Sequence, residues 1–398
     1  MKKVKLLIVL VLIAAITAAF IILPGCKSTP TTTAAAETTA AAETTAAAET
    51  TAAAETTVAG SKIVPKEGGY VVAVSNSFIT HSWRTQMVND LQKSVEYYRG
   101  KGLIKEFLLQ HSGPDLNLQT TQIQNNISLK PDIIILDPLS NTALNPILEQ
   151  AVDAGIMVIA SDEPVTSTAV YQVMPTHDVW MYKLSKYVFE KMGGKGNLVY
   201  ISGIKGAPAS DQRDQGFEKA LAEYPDIKLL TQIWGGWDPA TTQQATADIL
   251  AAYPNIDGVV AQDGQCLAAI NAFEAAGRDI PIINGEGYRP FIEYWVANKD
   301  KGFTSYAIAN GPGFAMTTTL GVGIRMLMGA TFKEEFLPAG EKIFNFDHKF
   351  EITDENVVQA LEDHTKYRGL EDYIDEIWSM KDVNALFNES ADLDAMFQ

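Results

Sequence analysis

The chain has 398 residues, 46% hydrophobic and 20% charged, a balance that belongs to a folded protein and excludes wholesale disorder. Its 48 acidic residues against 31 basic ones give a net charge of −17, which repels phosphate backbones and excludes nucleic acid as a partner. Two cysteines, Cys26 and Cys266, exclude a disulfide scaffold.

Lys2, Lys3 and Lys5 precede an apolar run from Leu6 to Leu23 that ends in Leu23-Pro24-Gly25-Cys26. This is the arrangement of a bacterial lipoprotein signal. On that reading residues before Cys26 are removed, its thiol is acylated, and lipid burial at about 0.8 kcal/mol per CH2 anchors the protein to a bilayer. An uncleaved transmembrane anchor is the alternative, because the run reaches the lower limit of a membrane span. Either way the three lysines stay inside and the rest of the chain lies outside the cytoplasm.

Residues 27–65 form a tether: between Thr32 and Glu55 the unit Thr-Thr-Ala-Ala-Ala-Glu repeats four times, with nothing to build a core. From Gly69 short apolar runs alternate with amphipathic stretches. Tyr70–Val74, Leu103–Leu109, Asp132–Leu136 and Met157–Ala160 are followed by Asn197–Ile201, Leu229–Ile233, Gly258–Ala261, Pro281–Ile283 and Phe303–Ala309. Continuous apolar strands separated by helical patterns, one of them over Met87–Tyr98, predict an α/β protein with parallel sheets covered on both faces. The number of units exceeds one small doubly wound sheet and predicts two. Cys266, inside Cys266-Leu267-Ala268-Ala269-Ile270, reads as a small core residue. Residues 353–398 read as an acidic, helical extension laid on the surface of one lobe.

In such sheets ligands bind beyond the carboxyl ends of the strands. The predicted strands end in Ser75-Asn76, Asp137, Asp162-Glu163, Asp263, Glu286 and Asn310. Asp137, followed by Pro138, reads as a cap or turn residue. The recurrence of acceptors suits a polyhydroxylated ligand, and Arg84 and Arg213 offer planar forks of donors to vicinal oxygens. Trp83 and Trp237 lie in loop contexts where a sugar's CH face can stack, whereas Trp234 reads as structural. The five histidines lack zinc spacing, and no dinucleotide fingerprint, phosphate loop or nucleophile elbow is present, so no metal, cofactor or catalytic centre is expected. Adjacent Asp162 and Glu163 are poorly placed to flank a glycosidic bond.

The run Lys130-Pro131-Asp132-Ile133-Ile134-Ile135-Leu136-Asp137-Pro138, the Asp162 strand end and Arg213-Asp214-Gln215-Gly216-Phe217, in that order, resemble the type I periplasmic sugar-binding proteins. These are the ribose/galactose-type receptors of ABC importers, here in lipoprotein form. The resemblance covers Gly69 to Ile352. It implies two Rossmann-like lobes joined by a three-strand hinge, residues 66–171 plus 310–340 forming one and 172–309 plus 341–352 the other. A sugar or polyol would sit between them and draw them closed, with an ABC permease as partner and the receptor acting as a monomer. Carried over by position, the ligand-binding residues are Trp83, Arg84, Asp162, Glu163, Arg213, Trp237, Asp263, Glu286 and Asn310. Glu163 stands where ribose receptors carry Arg, Glu286 where Asp is usual, and Gly285 where an aromatic is common, which points away from ribose. Other readings are a receptor for an amino sugar or nucleoside, and an input subunit for a chemoreceptor or sensor kinase.

Overall fold

The computed structural model describes residues 63–79, 82–368, 383 and 385–388; the leader, Cys26 and residues 27–62 of the tether lie outside them. The chain builds β1 (Tyr70–Asn76), α1 (Ser82–Gly100), β2 (Ile104–His111), α2 (Leu116–Leu129), β3 (Ile133–Leu136), α3 (Asn145–Asp153), β4 (Met157–Ser161) and β5 (Tyr171–Pro175). It continues through α4 (His177–Lys191), β6 (Lys195–Ser202), α5 (Pro208–Leu221), β7 (Asp226–Trp234), α6 (Pro239–Ala252), β8 (Gly258–Ala261), α7 (Gln265–Ala275) and β9 (Ile282–Ile283). The last elements are β10 (Gly285–Glu286), α8 (Arg289–Asn298), β11 (Ala307–Ile308), α9 (Pro312–Leu327), β12 (Ile343–Phe346), β13 (Glu351–Ile352) and α10 (Val357–Arg368).

Six strands form one sheet in the order β12-β5-β4-β3-β1-β2 and four form another in the order β7-β6-β8-β9, parallel throughout. A small third sheet joins β10, β11 and β13. The continuous apolar runs bury both faces, as period-two alternation requires. Val72, Val74, Ile133 and Ile135 enter the core against α1 and α9, while Ala73, Ile134 and Leu136 enter the core on the opposite face with Ile123 and Leu148. The second sheet repeats the pattern: Val199 and Val259 pack with Ile270 and Trp295, whereas Leu198, Tyr200 and Val260 pack with Trp180 and Phe217. Cys266 is buried in this second lobe, as its sequence context predicts.

The chain passes between the lobes after β5, after β11 and after β12. Strand pairing moves two of the expected boundaries. β5 pairs with β4, and β12 pairs with β5, so residues 172–175 and 343–346 belong to the first sheet and the crossings come after them. Both strands are short and carry polar residues, Gln172 and Asn345, which is why neither stands out as an apolar run.

The described residues of the acidic extension, 353–368, 383 and 385–388, reach both lobes. Val357 and Ala360 of α10 enter the second lobe's core, and the Trp295 Nε1–H donates to Asp354 at 2.9 Å. Val383, Leu386 and Phe387 are instead buried in the first lobe, where Phe387 bridges Phe332.

Candidate functional site

The carboxyl ends of both sheets face a common cleft, a cavity of about 420 Å³ with the open space at its mouth included. Its lining is Trp83, Arg84, Asp162, Glu163, Ala209, Arg213, Trp237, Asp263 and Asn310. Eight of the nine residues proposed from sequence therefore line one cavity. Glu286 is the exception. It is 1% exposed in the two-residue strand β10 and does not line the cavity.

Local folding explains these placements. Asp162, Trp237 and Asp263 all have left-handed backbones, with φ of 65°, 54° and 49°. Such strain in non-glycine residues persists only where the surroundings over-determine it. Trp237 is fixed from both sides. Asp238 caps α6 by accepting from Thr241 N–H at 2.7 Å, with Pro239 next, and the indole lies so close to Gly203 that any side chain there would collide with it. The Arg213-to-Phe217 motif has an equally physical basis. A Cβ on Gly216 would stand 2.1 Å from the Asp178 carbonyl oxygen, so glycine lets α5 seat against α4. Phe217 stacks on Tyr200 at 3.8 Å between ring centroids, and Arg213, one turn earlier, points into the cleft.

Each arginine is held by carboxylates. Arg84 donates to Asp137 and lies 3.5 Å from Asp162 Oδ2 and 3.9 Å from Glu163 Oε1. Burial opposes its charge, but Asp137, Asp162 and Glu163 together raise its pKa above the ordinary value. Arg213 donates to Asp263, and its Nε–H donates to His177 Nδ1 at 3.3 Å. That bond fixes the tautomer: His177 accepts at Nδ1 and donates from Nε2 to the Asp162 carbonyl at 3.3 Å. Burial and the Arg213 charge push the His177 pKa well below the usual range, so the ring is neutral.

The carboxyl groups do not share one protonation state. Burial raises Asp162 to about 6, against the pull of Arg84. Burial, with Asp162 and Asp137 adding to it, raises Glu163 to about 8. Glu286 is pushed well above its ordinary value by burial and then by Asp263. Neither Glu286 oxygen receives a hydrogen bond, because its neighbour Asp263 is an acceptor too. A neutral Glu286 resolves this by turning its own proton toward Asp263. Two guanidinium groups thus face Asp137, Asp162 and Asp263, while burial pushes Glu163 and Glu286 toward their neutral forms.

Trp83 and Trp237 form apolar walls: Trp83 donates to the Asn310 carbonyl at 2.7 Å and Trp237 to Gln262 Oε1 at 3.2 Å. The Asn310 amide donates to Asp263 Oδ1 at 3.2 Å. Trp234 is 41% exposed with Lys205 4.8 Å above its ring, a surface aromatic rather than a packed one.

Two contributors escape the sequence. Asp137 is no helix cap: it is fully buried, accepts from Ser77 and anchors Arg84. The signal was its place beyond a wholly apolar strand, the same signal that marks Asp162 and Asp263. His177 had no signal at all, since its role depends on α4 beginning beside the cleft. No cluster of metal-ligating side chains occurs among the described residues, and none of their helices is long and apolar enough to cross a membrane.

Comparison with known proteins agrees with this architecture. Residues 72–321 match the periplasmic binding protein domain family. The xylitol-binding protein of Mycolicibacterium smegmatis is 27% identical over 264 residues, 65% of this chain and 71% of that protein. The D-apiose import binding protein of Actinobacillus succinogenes is 31% identical over 177 residues, 44% of this chain and 57% of that protein. A crystal structure of an ABC transporter solute binding protein from Thermobispora bispora superposes with a TM-score of 0.69 at 25% identity, covering 79% of this chain and 94% of that one. By its matched span and its two parallel sheets, the chain belongs to the periplasmic binding protein domain family, a family of binding proteins and not of enzymes.

Proposed function

We propose that the chain is the solute receptor of an ABC importer, and that it captures a neutral sugar or polyol between its two lobes. The convergence of Arg84, Arg213, three carboxyl groups and two tryptophans on one cleft carries this reading. The donors and acceptors suit vicinal hydroxyls, and the indole faces suit the CH surface of a small carbohydrate. Burial pushes Glu163 and Glu286 toward their neutral forms, which brings the cleft near charge balance and favours a neutral solute over a sugar phosphate. The relatives named for xylitol and D-apiose are named for solutes of this class.

In this mechanism the segments after β5, β11 and β12 act as the hinge, and a solute touching both lobes stabilises their closed arrangement. The permease then recognises the closed, monomeric receptor. Acylated Cys26 and the repeat tether hold it at the outer face of the membrane. Thermal unfolding with xylitol, D-apiose, D-ribose, myo-inositol and glycerol tests the reading, because a solute bound only by the native state raises the midpoint by mass action.

A further inference from the structure

Glu163 follows β4 of the six-stranded sheet, and Ala209 is the second residue of α5, which packs on the four-stranded sheet. The two meet across the cleft: the Ala209 N–H donates to Glu163 Oε2 at 2.8 Å, with both residues buried. Position explains the donor. The first N–H groups of a helix have no partner within it, and no side-chain cap serves the start of α5, where Ala207 and Pro208 offer none. The other Glu163 oxygen faces Arg84 at 3.9 Å. One Glu163 oxygen is therefore bonded from the opposite lobe, while the other lies near the Arg84 charge of its own lobe.

From this geometry we infer that Glu163 is a positioning residue that joins the two lobes, favouring their closed arrangement through the Ala209 N–H. The inference goes beyond the receptor reading and does not need it, since the contact is between two parts of the chain. A closure contact supplied by the protein lets a small solute with few hydroxyls be held as well as a larger one, because less of the closing free energy has to come from the solute.

The test is an interlobe distance measurement on the full chain carrying Cys26→Ser, with spin labels at Thr142→Cys and Gln244→Cys, positions exposed on opposite lobes. Glu163→Gln keeps an acceptor at the same reach, and Glu163→Met keeps the length without one. Loss of one such hydrogen bond predicts about a three- to tenfold fall in the closed-to-open ratio for Glu163→Met. Glu163→Gln should reproduce the parent distribution. Should circular dichroism show Glu163→Met unfolded, Glu163→Ala takes its place under the same expectations. An unchanged distribution in the acceptor-less variant, or an equal loss in Glu163→Gln, overturns the inference. The measurement contains no sugar, so it stands or falls apart from solute binding.

Discussion

Asp162 and Asp263 occupy matching places in the two lobes, each just beyond the end of an inner strand and each with a left-handed backbone, φ 65° and 49°. Each also neighbours an arginine, Asp162 lying near Arg84 and Asp263 bonded to Arg213. Asparagine tolerates this backbone region far better than alanine. Asp263→Asn is therefore expected to retain about 1 kcal/mol more stability than Asp263→Ala, although both lose the ion pair. Urea unfolding of the two variants checks the order; equal midpoints would mean the turn carries no strain.

Asp137 anchors Arg84 out of reach of water. Removing one member of a buried pair leaves the other charge uncompensated, so Asp137→Ala is expected to cost about 3 kcal/mol. The double variant Asp137→Leu with Arg84→Met should cost much less than the sum of its parts. Additive losses in denaturant melts would show that the two side chains are not coupled.

Glu163 and Asp162 make stability depend on pH. Both carboxyls have raised pKa values in the folded protein, about 8 and about 6, so the folded state holds protons that the unfolded chain has released. Stability therefore falls as pH rises from the ordinary carboxylate range through pH 8. The groups facing Glu163 are Arg84 on α1, Asp137 after β3, Asp162 beside it and the Ala209 N–H on α5. Glu163→Gln should flatten the melting temperature between pH 7 and 9. His177 and His348, lowered by burial, act on the acid side and do not enter that window. Parallel curves for the parent and Glu163→Gln would contradict the assignment.

Gly216→Ala pushes a methyl group into the Asp178 carbonyl. Overpacking of this kind costs about 1–3 kcal/mol and would shift α5 along with Arg213. A matched change at Gly206, where φ is 80° but nothing lies within reach of a Cβ, is strained without collision and serves as the control for backbone effects. If Gly216→Ala melts with the parent protein, close helix packing is not the reason for glycine in the Arg213-to-Phe217 motif.

Most of the α/β framework was legible because the inner strands are apolar on both faces, so β1, β3, β4, β6 and β8 announce themselves. β5 and β12 were not, since Gln172 and Asn345 interrupt their apolar pattern. The site was legible for a related reason: a polar residue directly beyond a buried strand has few places to point except the cleft. That rule finds Asp162, Asp263 and Asn310, and it also held for Asp137, where the following proline suggested a turn. It does not separate cavity-lining Asp263 from Glu286 behind it, because the depth of a carboxyl depends on packing between lobes. Nor could it find Ala209, which contributes only a backbone N–H. In the tail, the acidic pattern hid the burial of Val383, Leu386 and Phe387 in the first lobe.

Isothermal titration of the purified protein with xylitol, D-apiose, D-ribose, myo-inositol and glucose 6-phosphate tests the central claim most directly. The account predicts that at least one neutral compound binds with a dissociation constant near micromolar, about 8 kcal/mol, and that the sugar phosphate binds far more weakly. Arg213→Ala and Trp237→Ala should each weaken that binding about tenfold or more while the protein stays folded. Tight binding of the sugar phosphate alone, or a neutral solute whose affinity is unchanged in both variants, would contradict the cleft as a receptor for neutral polyols.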